Sequence, residues 1–508
     1  MPTAHSWTDL VVRPVVDTAH LVRFRGATVR RPRVARIAWG TMLGITAAVV
    51  VVPALAPGAG APTGRAFDAL LLLPTFMAGF LVLALVSAVA SGGGRELLPH
   101  EQAVAHPVSP TTDHLGALLL APLNIAWLLQ AWFLLGSAAW AKGPDGLLAL
   151  EVVLLVWLAL ATALAQVVAW SVEAVRRRSH GVAVVRTAGV ALALVALWLQ
   201  LTDRWGPLLD ALPTLELVVA GLDGHSPRWW ATVAGMLVAL VATVALGAWP
   251  AHLTARRLPR DEQRVESASH AARPTPCSEL GMLLRLDRAS VWRAVPMRRG
   301  LGVLAVGPGL VALAGGLTWD MVVVLPGLVV SGGVLLFGVN AWSLDGRGGL
   351  WRESLPVDPA LVFRARSLVM AEWLLSAAAV TVVLASLRAG VPDASEAAAL
   401  LCALVVVTAQ VVAVAMTWSI RRPFSVDLRS ARATPAPPVV MVGYSARLAT
   451  STTITAMVFS ALSWTAPWWV SVAVAAPFLA WSGVRWRRAQ RRWVDAPTRA
   501  LVVTTVAA

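Results

Sequence analysis

Lysine is almost absent from this chain of 508 residues: Lys142 stands alone, and arginine supplies the rest of the 42 Lys plus Arg. A phosphate-cradling P-loop ends in Gly-Lys-Ser/Thr. The one lysine lies in Ala141-Lys142-Gly143, so the chain carries no P-loop, and any ATP-driven function would need a separate polypeptide as its engine. Cysteine is nearly as scarce. Cys277 sits in a polar stretch and Cys402 in an apolar one, which excludes a disulfide framework and a cysteine-based zinc site. Charge is thin as well: 14% of residues, against about 25% in ordinary soluble domains.

What fills the space is apolar, with 57% hydrophobic residues and a mean hydropathy of +0.70. These residues come in blocks of about twenty, long enough to cross roughly 30 Å of hydrocarbon at about 1.5 Å per residue. The blocks lie at about 37–56, 67–90, 115–140, 147–172, 183–201 and 229–250, then at 301–318, 321–342, 367–387, 396–419, 447–464 and 467–484. The pattern predicts an all-α polytopic membrane protein of about twelve transmembrane helices, as six plus six. A first half over 1–252 would be followed by a basic cytoplasmic linker with an interfacial helix over 253–300. A second half over 301–508 would end in a basic tail.

Charge placement predicts the orientation. With the N-terminus inside and spans alternating, the outer loops hold only Arg65, Lys142, Arg204, Arg228 and Arg388. The remaining positive charge falls inside, including Arg176-Arg177-Arg178, Arg421-Arg422 and the run from Arg485 to Arg492. The positive-inside rule then predicts a multi-pass cell-membrane protein with both termini cytoplasmic. Six being even, the halves share one orientation, as parallel repeats do. The net charge of +15 is explained by these loops and needs no nucleic acid. About 36 polar, Arg-rich residues precede the first apolar block and no small-residue cleavage site follows it closely, so that block is expected to stay in the membrane.

Three further segments read as surface elements. Ser278 to Val295 opens on a capping serine and sets Leu280, Leu284, Val291 and Val295 near one face, with Asp287 breaking the stripe. Residues 9–24 suggest a similar helix before the first span, interrupted by Pro14. The stretch 202–228, with Pro207, Pro213 and Pro227 around the apolar run Leu215 to Leu222, is too short to cross and predicts a re-entrant or surface helix outside.

Candidate chemistry is sparse. His100, Glu101, His106, Asp113 and His114 share one loop, but a helical zinc site wants two histidines four residues apart, and these are spaced six. No metal or cofactor is expected, and the loop reads as solvated or partner-facing. Glu151, Glu173 and Glu372 lie in or near spans, as do the amides Asn124, Gln130, Gln166, Gln200, Asn340 and Gln410. Amides within membranes first of all knit helices together; Asn124, Gln166, Glu372 and Gln410 are the candidates for a substrate path. So few acids at mid-depth argue against proton coupling. Tryptophans number 24, and Trp229-Trp230 and Trp468-Trp469 at span ends suit interfacial anchoring.

One loop is repeated. Arg95 to Pro99 reads R-E-L-L-P and Arg352 to Pro356 reads R-E-S-L-P; Pro107 to Pro110 reads P-V-S-P and Pro356 to Pro359 reads P-V-D-P. Each pair follows the second apolar block of its half, and the first loop carries about eight extra residues. The second adds Leu344-Asp345-Gly346-Arg347-Gly348. A non-membrane loop used twice suggests a partner gripped twice. Arg95, Glu96, Arg352 and Glu353 are the expected polar contacts, with Pro99, Pro107, Pro110, Asp345, Arg347, Pro356 and Pro359 shaping the two loops.

At these residues the chain resembles the membrane (permease) subunit of ABC-type exporters with six spans per half. The stretch N-A-W-S-L-D-G (Asn340 to Gly346) followed by R-E-S-L-P-V-D-P is similar to that family's pattern at the end of span two and its coupling loop. The resemblance implies a surface helix before a half's first span (Ser278–Val295), coupling loops at 92–114 and 344–365, and a broken segment between spans five and six (202–228). It also implies two separately encoded ATP-binding-cassette ATPases as partners, with hydrolysis there and an exported substrate handled by the apolar spans. Two halves in one chain would be a fused version. The motifs cover about 45 residues, and the second half departs from the pattern, leaving only about Ser463 to Trp468 between its last two spans. The rival readings are a twelve-span secondary active transporter, which loop 344–350 loosely suits and 92–99 does not, and a polytopic membrane enzyme such as a lipid-linked sugar transferase, which would want acidic residues in a large outer loop.

Overall fold

Three helix starts in this chain share one recipe, a short polar side chain followed by proline. Ser109 accepts a hydrogen bond from the backbone N–H of Thr112 (3.0 Å) with Pro110 next to it. Ser226 does the same for Trp229 (3.2 Å) before Pro227, and Asp358 for Ala360 (2.8 Å) before Pro359. The cap satisfies an orphan donor, and the proline sits where no N–H is needed. Pro14 obeys the same logic. It lies in the first turn of a helix over Arg13–Ala27, which it helps to start and does not interrupt.

The computed structural model describes residues 12–27, 32–90, 108–123, 125–202, 204–257, 274–336, 340–424 and 438–507, all in helices and their connections with no strand among them. The chain divides into two compact units, Met1–Asp261 and Glu262–Ala508.

In the first unit, α1 (Arg13–Ala27), α2 (Pro32–Ala54) and α3 (Arg65–Ala90) precede α4 (Pro110–Leu120). A 3-10 turn at Ala121–Leu123 then leads to α5 (Ile125–Lys142). The apolar stretch read as one span over 115–140 is therefore two helices, because Pro122 denies the N–H that a continuous helix would need. α6 (Leu147–Arg176), α7 (Gly181–Leu201), the short α8 (Trp205–Asp210) and α9 (Thr214–Leu222), and α10 (Pro227–Ala255) follow. α6 is central: Leu150, Val153, Leu154 and Leu158 pack with Leu73 and Met77 of α3 and Leu134 of α5. Indoles tie the helices crosswise. Trp157 donates to the carbonyl of Met77 (3.1 Å), Trp229 to that of Ala149 (2.9 Å), and Trp127 to the Thr162 hydroxyl (2.9 Å). Neighbouring residues on a helix point about 100° apart. Hence Trp229 faces the core while Trp230 faces out, so the expected interfacial pair is split.

In the second unit, α11 (Glu279–Arg293) is capped by Ser278 and leads into α12 (Val295–Gly315). α13 (Trp319–Val322) runs on to α14 (Leu325–Leu336). A 3-10 turn (Ala341–Leu344) and α15 (Gly348–Glu353) form the loop before α16 (Pro359–Ala389). α17 (Ala394–Arg421), α18 (Pro438–Thr465), α19 (Trp468–Val494) and α20 (Ala496–Ala507) complete it. α17 is the most enclosed, burying Ala399, Ala403 and Val406 against Phe459 of α18 and Ala475 of α19. Only Ala466 and Pro467 separate α18 from α19, whereas α8 and α9 fill the corresponding place in the first unit.

Among the described residues, six helical segments are long and apolar enough to cross a membrane: α3, α6, α10, α13 with α14, α16 and α17. The protein is thus all-helical and membrane-embedded by length and composition. The apolar parts of α2 and α7 are shorter.

Candidate functional site

The loop between α14 and α16 is held from several sides. Asn340 is fully buried: its carbonyl oxygen accepts from the backbone of Trp342 (3.0 Å), capping the 3-10 turn, and its amide donates to the carbonyl of Phe424 (3.0 Å). The backbone N–H of Ala341 donates to Ser419 on α17 (2.8 Å). Trp342 lies flat on Trp493 of α19, ring centres 3.7 Å apart and planes 4° from parallel. Trp493 in turn donates to the carbonyl of Pro359 (3.1 Å). Gly346, with φ of +46°, lets the chain turn into α15 where a side chain would be strained. Gly349 brings α15 against Val503 of α20, 3.4 Å from where a Cβ would stand.

Buried charge organises the same place. Arg366, on α16 and 1% exposed, grips Asp287 of α11 with two nitrogens (Nε to Oδ2 3.0 Å, Nη2 to Oδ1 2.9 Å). Its Nη2 also donates to Asp345 Oδ1 (2.6 Å), and its Nη1 to the carbonyl of Ala341. Arg352 of α15 lies 2.9 Å from Asp345 Oδ2, an ionic contact whose angles fall short of a hydrogen bond. Both guanidinium groups stand over the Trp342 ring, at 5.8 Å for Arg352 and 5.4 Å for Arg366. Two acids and two bases thus form a neutral, nearly enclosed network. Burial pushes the Asp345 carboxyl up, but the charges of Arg366 and Arg352 and the hydrogen bond from Arg366 outweigh it and hold Asp345 below the usual carboxylate range. Asp287, which breaks the apolar stripe of α11 in the sequence, is there to meet Arg366.

The outer side of the loop is different. Trp351 is 73% exposed, Leu350 47% and Leu355 43%, with Arg347 and Pro356 beside them, also exposed. Glu353 reaches Arg499 of α20 (2.7 Å). A six-residue helix therefore shows apolar side chains outward while its other side is ion-paired and packed into the unit. Of the residues expected to touch a partner, Asp345 and Arg352 belong to the buried network and Glu353 to an internal ion pair. Arg347 and Pro356 remain outward-facing. Pro359 and Pro110 each occupy the first turn of a helix, so the repeated P-V-x-P ends do the same local job in both units: they start α4 and α16.

Arg95, Glu96, Pro99 and Pro107 lie outside the described residues, as does Asn124. His114, expected in a solvated loop, is buried. Its Nδ1 accepts from Trp170 (3.1 Å), its Nε2 lies 3.1 Å from the carbonyl of Val244, and the ring sits on Gly247. That pairing makes it a neutral helix-to-helix tie, since a ring so enclosed has neither room nor lone pair for a partner. Gln166 is buried in α6. Glu372 is half-exposed and paired with Arg288 of α11 (2.8 Å). Gln410 accepts from Thr455 (3.1 Å) and lines a cavity of about 450 Å³ between α17, α18 and α19. No group of three or more His, Cys, Asp or Glu suited to a metal occurs among the described residues.

Sequence reasoning passed over Arg366, although it carried a signal: a base, with Arg364, near the start of an apolar helix, matched by Asp287 spoiling an apolar stripe. It also passed over Trp342 and Trp493, for which no local signal exists. No family model, no curated protein and no solved structure matches this chain.

Proposed function

We propose that this chain is the membrane-spanning subunit of an ABC-type exporter, with two six-span halves fused, and that separate ATPase subunits dock on its loops 92–114 and 344–365. One observation carries the reading. α15 presents Leu350, Trp351 and nearby Leu355 to solvent while Asp345 and Arg352 bind its base to α16 and α11 through Arg366. An apolar knob with a rigid footing passes a push from a soluble partner into the helices behind it. Aromatic anchors of this kind dominate protein interfaces. In this reading the twelve apolar blocks all cross the cell membrane, both termini are cytoplasmic, and two ATPases engage the two loops. The exported substrate moves past groups such as Gln410.

The test is co-expression with the genes encoded beside it, followed by purification and reconstitution. A Walker-A protein is expected to co-purify and to hydrolyse ATP faster in the complex. Trp351→Ala, an exposed position, is expected to weaken that association at least tenfold with an unchanged melting temperature, in line with hot-spot truncation. Transport that persists without ATP and collapses with an uncoupler would overturn the proposal.

A further inference from the structure

Beside the Gln410 cavity lies a second one, of about 320 Å³, into which five arginines converge: Arg421 from α17, Arg447 from α18, and Arg485, Arg488 and Arg492 from α19. No carboxylate lines either cavity among the described residues. The two spaces adjoin, since Trp481 and Arg485 line both. Helical spacing makes them one groove. Along α19, Pro477, Trp481, Arg485, Arg488 and Arg492 recur every three or four residues on one face. Gln410, Val414, Thr417 and Arg421 do so along α17, as do Arg447 and Ser451 along α18. All three helices pass from apolar to basic in the same direction, over roughly 16 Å from Gln410 to Arg421 at the helical rise.

We infer that this groove is a binding site for an anionic phospholipid, its phosphate held by the five arginines and an acyl chain lying along Val414, Pro477 and Phe478. The apolar length of α19 gives way to its arginine run at Arg485, the level at which lipid phosphates sit when α19 crosses the membrane, as it does in the twelve-span reading. A general excess of positive charge on one side of the membrane spreads arginines over loops and tails. It does not direct five from three helices into one cavity without a counter-charge. Like charges so placed repel one another, as Arg447 and Arg421 do Arg485, and a phosphate relieves the repulsion by accepting several forked hydrogen bonds. Basic pockets between membrane helices commonly hold such headgroups. The inference does not rest on the exporter reading.

Native mass spectrometry of the full, delipidated chain, titrated with phosphatidylglycerol or phosphatidylcholine, tests it. Phosphatidylglycerol is expected to stay bound and phosphatidylcholine to dissociate. Arg485→Gln with Arg488→Gln should weaken phosphatidylglycerol binding by roughly tenfold or more, while Arg13→Gln with Arg23→Gln, the same loss of charge on α1, leaves it unchanged. Arg485→Lys with Arg488→Lys keeps the charge but loses the fork, and is expected to bind phosphatidylglycerol more weakly than the wild type yet more tightly than the glutamine pair. If it fails while melting normally, charge does not hold the lipid and the proposal falls. Equal binding of both lipids, or an unchanged glutamine variant, overturns it. Displacement by millimolar inorganic phosphate would make this a free-anion site and overturn the lipid assignment.

Discussion

Replacing Arg366 by methionine removes the one cation that, among the described residues, touches both Asp287 and Asp345. The side chain is enclosed, so no water replaces its hydrogen bonds to the two carboxylates and to the Ala341 carbonyl. Asp345 keeps Arg352, but Asp287 is left buried without its partner. Breaking a buried ion pair from one side costs about 3–5 kcal/mol, because a charge remains uncompensated. For a unit of this size that corresponds to a fall in melting temperature on the order of 10 °C. The double variant Arg366→Met with Asp287→Leu should recover much of the loss, since it removes one charge of each sign and leaves the Asp345–Arg352 pair intact. The assay is thermal unfolding in detergent of the wild type, each single variant and the double. An Arg366→Met protein that melts with the wild type, or a double variant worse than the single, would refute the idea that this network fastens the loop to α16 and α11.

Asp345 also predicts a pH dependence. Its folded value lies below the unfolded one, so its stabilisation is complete above about pH 4 and is lost as pH falls through the folded value; the stability gap between wild type and Asp345→Asn should close there. Cys277 is exposed in the stretch read as the cytoplasmic linker. In a Cys402→Ser background an impermeant maleimide should label it in inside-out vesicles only, and labelling of right-side-out vesicles would reverse the proposed orientation. Gly247 lies against His114, whose ring would stand 2.4 Å from an added Cβ. Gly247→Ala should therefore cost about 1–3 kcal/mol, read as a lower melting temperature, and no change would mean that α4 and α10 are not locked by this contact. Glu151 is buried with its Oε1 unpartnered; Glu151→Met, of similar size and with no polar group to satisfy, should raise stability by about 1 kcal/mol, and a loss would reveal a partner for the carboxyl group.

What the residues state locally was legible. Apolar blocks of spanning length became helices, and Ser109, Ser226, Ser278, Asp358 and Asp393 cap the helices that begin beside them. The short connection before Trp468 was also readable, as was helical structure between α7 and α10, although it was read as one helix and the chain forms two, α8 and α9. The break at Pro122 inside an apolar stretch, by contrast, was hidden by hydropathy, which counts apolar side chains and ignores a missing N–H.

The candidate site was legible as a loop and not as a structure. The repeated R-E-x-L-P and P-V-x-P segments drew attention to Arg352 and Asp345, but as outward groups. Packing turned them inward to Arg366 and left Trp351 outside. Sequence alone determined the helical, membrane-embedded class and the cap at Ser278, because burial length and capping act over a few neighbouring residues. Tertiary structure decided the rest. Asp287 meets Arg366, Trp342 stacks on Trp493, and five arginines share one cavity only because distant helices are brought side by side, and no local pattern encodes which faces will meet.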